Sequence, residues 1–82
     1  MNKDYILLNL REALEEIERT IRKLQNESAY YEPEFRIAME HAFHHMNIAW
    51  NARNTTKEQS FECTAKDLDS WGNFPKDIDF DS

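Results

Sequence analysis

Residues 35–53, FRIAMEHAFHHMNIAWNAR, decide the fold. Set at about 100° per residue, they form one helix that is apolar or histidine-bearing around roughly three quarters of its circumference. With Ala42 at the centre, Phe35, Ala38, Met39, Met46, Ala49 and Arg53 lie within about a third of a turn of it. Phe43 and Trp50 share one flank of that stripe, and His41, His45 and Ala52 share the other, with Ile37 and Ile48 beyond them. Arg36, Glu40, His44, Asn47 and Asn51 are left as the solvated strip. Ala38, Ala42, Ala49 and Ala52 cover the backbone thinly, so another helix can come close. A helix this apolar around its girth needs cover on several sides.

Upstream lies the clearest period in the chain. Leu7, Leu10, Leu14, Ile17, Ile21 and Leu24 are spaced three and four apart in alternation, an a/d seam of a little under three heptads. Ile6, Ala13 and Thr20 widen it on one side. Glu15 with Arg19, and Glu18 with Arg22, are i,i+4 pairs in the favourable order, and Asp4, Arg22 and Lys23 suit the helix dipole. The expected helix runs over 3–28. The seam is too short for a long coiled coil, so it is expected to close an antiparallel hairpin against the second helix, over 33–53. Asn26 and Ser28 weaken the end of the first helix, and Pro33 suits the first turn of the next. The connection between them is short enough to force antiparallel packing.

After Arg53 the texture changes. Residues 54–60 are polar and turn-prone and read as a linker. Thr55 with Glu58, and Thr64 with Asp67, each have capping-box spacing. Phe61, Ala65 and Leu68 fit one helical face, and Gly72 and Pro75 mark a stop. A short helix over 64–71 is therefore expected, with 56–63 left open. Trp71, Phe74, Ile78 and Phe80 are too apolar for a solvated tail, at roughly 1.5–3 kcal/mol each when fully buried. They suggest an extended strap over the Phe43–Trp50 flank, held by Trp71 and Phe74. The domain reading is thus a helical hairpin over 1–54 and a linker, short helix and strap over 55–82.

Composition narrows the class. A single glycine and two prolines in 82 residues point to an all-α protein. The formal charge is −6, and the acidic excess is densest in residues 54–82. Phosphate binding needs clustered Lys and Arg, so nucleic acid is not the expected partner. No apolar run approaches the ~20 residues of a membrane span, and no basic-then-apolar leader opens the chain. The lone Cys63 has no internal disulfide partner, and Glu62 beside it opposes thiolate activation. A cytoplasmic protein with no membrane partner is the expectation.

His41, His44 and His45 are the residues closest to a chemical site. His41 and His45 are i,i+4, so both rings can reach one metal from one face. No Glu completes HExxH, and Glu40 with His44 lacks the Glu-x-x-His spacing of di-iron bundles. No metal and no cofactor is assigned on this basis. The stretch Arg36-Ile-Ala-Met-Glu-His41 resembles the core motif of HEPN-type ribonucleases over those six residues. The resemblance implies that Arg36 and His41 are an RNA-cleaving pair. The single glycine excludes a Gly-rich phosphate loop, and no order of residues suggests a nucleophilic triad.

Burial carries the functional expectation. One copy of the first helix covers one side of the second, and the strap another. The faces left over call for a second copy, paired about a two-fold axis into a four-helix bundle. Phe35, Ala38, Ala42, His45, Met46, Ala49 and Trp50 are the expected interface. The leading expectation is a non-catalytic homodimer acting as an interaction or adaptor module. Two alternatives stand beside it: an acidic antitoxin- or immunity-like partner of a basic protein, and a metal-binding or hydrolytic protein built on the histidines.

Overall fold

A computed structural model describes residues 1–79. Four helices follow in order: α1 (Lys3–Asn26), α2 (Glu32–Asn51), α3 (Lys57–Phe61) and α4 (Ala65–Trp71). Among the described residues there is no strand. The architecture is all-α, with α1 and α2 packed as an antiparallel hairpin and α4 laid on α2. The expected contribution of Phe80 to the strap lies outside the described residues.

The ends of the helices explain how the hairpin is pinned. Asn2 caps α1, its Oδ1 accepting from the Tyr5 N–H at 3.2 Å. Its own backbone N–H donates to the Arg53 carbonyl at 2.6 Å, and its Nδ2 donates to Ser60 Oγ at 3.1 Å. The start of α1 is thereby tied to the end of α2 and to α3. α1 ends at Asn26, two residues earlier than expected, where the Glu27 N–H still closes on the Lys23 carbonyl. α2 begins at Glu32 and ends at Asn51, with Pro33 in its first turn and the Tyr31 N–H donating to Glu34 Oε2 at 3.3 Å.

Residues 57–61, expected as linker or left open, form a one-turn helix. Its capping box is one residue later than the sequence spacing suggested. Thr56 Oγ1 accepts from the Gln59 N–H at 3.1 Å, and Gln59 Oε1 from the Thr56 N–H at 2.8 Å. Thr55 instead donates its hydroxyl to the Ala52 carbonyl. Phe61 therefore does not share a helix with Ala65 and Leu68, and it stands 90% exposed. Thr64 and Asp67 do form a reciprocal capping box, which starts α4.

Gly72 follows α4 for a reason other than turn geometry. Its φ is −75°, a conformation open to any residue. A Cβ built there meets His44 Nδ1 at 2.7 Å and Cε1 at 2.9 Å, so the His44 ring occupies the space a side chain would need. The strap beyond it crosses α2. Asn47 Nδ2 donates to the Gly72 carbonyl at 2.9 Å, and Asn51 Nδ2 to the carbonyls of Trp71 and Asn73, each at 2.7 Å. Two asparagines counted as solvated by their period are thus the hooks that hold the tail backbone.

The buried core departs most from expectation. α1 and α2 pack against each other, and the buried residues along them are Asn9, Ala13, Glu16 and Thr20 of α1, Ala38, Ala42 and Ala49 of α2, and Ala52 just past its end. Ile48 is the one fully buried large side chain among the described residues. The expectation that the leucine seam closes the hairpin is corrected. Leu7, Leu10, Leu14, Ile17, Ile21 and Leu24 are all exposed. Small residues let two helices approach to the short end of the 8–10 Å interaxial range, and bulky leucines would hold them apart. The Cα radius of gyration is 14.5 Å, against about 12 Å for a compact chain of this length. An open, elongated hairpin is the result.

Candidate functional site

Two surfaces flank the line of contact between α1 and α2. Measured at about 100° per residue, the leucine seam is rotated about 100° from the contact line of α1. Phe35, Phe43, Met46 and Trp50 are rotated by a similar angle, in the same sense, from the contact line of α2. In an antiparallel pair, equal senses of rotation bring both stripes to one side of the hairpin. The other side carries the polar groups: Glu16, Arg19 and Lys23 of α1 line one groove with Glu34 and Ile37 of α2.

The first surface is apolar and large. Leu7, Leu10, Leu14, Ile17, Ile21 and Leu24 of α1, with Phe35, Phe43, Met46 and Trp50 of α2, are each 36–56% exposed. They line one side of the hairpin, and an interface of standard size takes about 800 Å² from each partner. The largest contiguous apolar patch of an ordinary monomer is roughly 300–600 Å². The strap borders this surface along α2. Phe74 packs on Phe43 with ring centroids 5.6 Å apart. Trp50 Nε1–H donates to Asp77 Oδ1 at 2.8 Å, and Arg53 Nη2 donates to Asp77 Oδ2 at 3.2 Å. The Arg53 guanidinium lies over the Trp50 ring, 3.8 Å from its centroid. The hydrogen bond from Trp50, followed by the bonds and charge of Arg53, holds the Asp77 carboxyl below its ordinary range.

The second surface holds the histidines. His41 and His45 sit one turn apart on α2 with their Nε2 atoms 3.1 Å from each other. His45 Nδ1 is 2.9 Å from Asn9 Oδ1, and Asn9 Nδ2 donates to the Tyr5 carbonyl at 3.0 Å. His41 Nδ1 is 3.3 Å from Glu16 Oε2, the carboxylate that also pairs with Arg19. Burial, then the charges of His41 and His44, push the His45 pKa down, while Glu12 opposes them. The His44 ring lies against Gly72 and edge-on to the His45 ring, with centroids 5.4 Å apart. Among the described residues, no three or more His, Cys, Asp or Glu side chains gather as a metal cage.

The residues singled out from sequence divide between these settings. Ala38, Ala42 and Ala49 are buried inside the chain against α1, and His45 is engaged by Asn9. Phe35, Met46 and Trp50 lie on the open apolar side. Trp71 packs edge-on to Tyr5 at 6.0 Å, and Phe74 reaches Phe43. Arg36 and His41, the pair implied by the ribonuclease resemblance, are not brought together. Five residues separate them by about 140° around α2, and Arg36 Nε is bonded to Glu40 at 3.0 Å. Asn9 and Glu16 were missed as site residues. Their signal was the spacing Asn9, Ala13, Glu16, Thr20, a second stripe of small and polar residues beside the leucines.

No described helix is long and apolar enough to cross a membrane. Comparison with known proteins finds no matching family model, no matching curated protein and no matching solved structure.

Proposed function

We propose that the chain acts as a homodimer, two hairpins paired through their apolar sides into a four-helix bundle, and that this dimer is a non-catalytic interaction module. The observation that supports this reading is the unbroken leucine seam left open on α1 beside Phe35, Phe43, Met46 and Trp50. A three-four spacing is the pattern that packs at about 20° into a bundle. Within one chain the seam has no helix to meet, because α1 turns its small face to α2. A second copy supplies a seam of the same period, and two-fold pairing makes each patch its own complement. Occupied this way, the patch gives each chain the large buried side chains its own core lacks.

The interaction role follows from what remains outside the bundle. The acidic residues of the strap and the polar groove of the hairpin stay at the surface of the dimer. Each is present twice, so a dimer offers a partner two equivalent acidic contacts. The test is a mass in solution. Sedimentation equilibrium at about 100 µM, a concentration at which an interface of standard size is occupied, is expected to return twice the 9.8 kDa chain mass. A monomer at that concentration would sink the reading. It would leave the apolar side to a different protein, as the antitoxin-like alternative requires.

A further inference from the structure

The histidine side of the hairpin supports an inference independent of the dimer, because it faces away from the apolar surface. Two ring tautomers are fixed by their neighbours. The Tyr5 carbonyl can only accept, so Asn9 must turn Nδ2 toward it and present Oδ1 to His45. His45 Nδ1 therefore carries a proton. The Glu16 carboxylate has no proton to give, so His41 Nδ1 carries one as well. Both rings are left with a bare Nε2 lone pair, and the two atoms stand 3.1 Å apart. Two acceptors at that distance repel unless a proton or a metal ion lies between them.

We propose that His41 and His45 chelate one divalent transition-metal ion through their Nε2 atoms, with Glu16 and Asn9 as the outer groups that orient the rings. Two imidazoles at the usual Zn–N length of about 2.0–2.1 Å in a tetrahedral site have nitrogens about 3.3 Å apart, close to the separation here. A carboxylate and an amide oxygen on the far nitrogens are the customary partners of metal-bound histidine, fixing the tautomer and raising ligand basicity. The chain supplies two nitrogens and solvent the remaining positions, which makes the site open. Imidazole donors with an open position suit zinc, nickel and copper, whereas magnesium and calcium prefer oxygen.

Isothermal titration of the untagged, chelator-stripped full chain with zinc, nickel and copper(II) chloride at pH 7.5 reads the site directly. One ion per chain is expected. His41→Ala and His45→Ala should each weaken binding by at least about tenfold. Glu16→Gln should weaken it by about 10- to 100-fold, as loss of an outer partner does, whereas His44→Ala, which removes a neighbour of His45 but no ligand, should cost far less than either ligand variant. Circular dichroism on each variant separates loss of a ligand from loss of fold. Nitrogen NMR of the metal-free chain should report Nδ1–H on both rings. Binding that survives both histidine variants, equal loss with His44→Ala, or no binding beyond a shared proton would each overturn the assignment.

Discussion

α1 has two faces, and the hairpin uses the one that a hydrophobicity count would pass over. The stripe Asn9, Ala13, Glu16, Thr20 is buried against α2, while Leu7, Leu10, Leu14, Ile17, Ile21 and Leu24 stay open. Area alone would reverse that choice, since each leucine or isoleucine is worth roughly 1.5–3 kcal/mol when fully buried. Fit decides otherwise. α2 and its C-cap offer alanines at 38, 42, 49 and 52, and an alanine surface meets small residues at short range with dense packing. The polar members of the α1 stripe find fixed partners there: Glu16 has His41 and Arg19, and Asn9 has His45 and the Tyr5 carbonyl. No buried side-chain nitrogen or oxygen among the described residues lacks a hydrogen-bond partner. The small face is complete within one chain. The large face is not, and that asymmetry is what the dimer reading rests on.

The sharpest way to break the comparison is to charge one face at a time. Leu14→Glu with Ile17→Glu places two carboxylates in the middle of the seam. Dimer affinity should fall by about 4 kcal/mol or more, as loss of two central anchors does, and a monomer should appear in sedimentation. The helix content of that monomer should persist, because Leu14 and Ile17 stand on the open side of the hairpin and are not part of its buried core. Collapse of the fold in the double variant would mean that the seam is buried within the chain after all. The opposite face should respond in the opposite way. Ala42→Leu forces three carbons into the contact between the hairpin helices, and overpacking of this kind costs about 1–3 kcal/mol. It should lower the melting temperature of each chain, while leaving the apolar side available to a second copy. An unchanged melting temperature would show that α1 does not lie on Ala42.

How much of this could be read from the chain follows from the same contrast. The two long helices, their antiparallel order and the N-cap of α4 at Thr64 were legible, whereas α3 was not, because a periodic pattern, a proline and a capping box are local signals and five residues carry little of any of them. The pairing of faces was not. A wheel ranks residues by hydrophobicity, so it set the leucines inward and assigned the alanines of α2 to a second molecule. Shape complementarity between the small faces of α1 and α2 depends on the distance between helix axes, which no single segment encodes. The site was hidden for a related reason. His41 and His45 stood out by spacing, but Glu16 and Asn9 lie on another helix and look like ordinary surface residues. Asn47 and Asn51 became hooks for the tail only once α4 had turned back over α2. The stop at Gly72 was visible, whereas the His44 ring that leaves no room for a side chain there was not.

The smallest expected effect concerns the border between the covered and open parts of the apolar side, where Asp77 pins the strap to Trp50 and Arg53. Its carboxyl is held below its ordinary value, first by the Trp50 hydrogen bond. A depressed carboxylate lends stability that is complete above its unfolded value and fades as pH falls through the folded one. Docking of the strap should therefore be firmest above pH 3.8, the ordinary value for this group, and should loosen below it. Other carboxylates titrate in the same range, so the useful quantity is a difference between two proteins. In a Trp71→Phe background, Trp50 is the remaining indole, and its emission follows the strap. Asp77→Asn should shift that emission to the red at neutral pH, and the gap from the parent should close as both are taken toward pH 2. A gap that stays constant across that range would place the anchor in the backbone bonds from Asn47 and Asn51, with Asp77 a bystander at the edge.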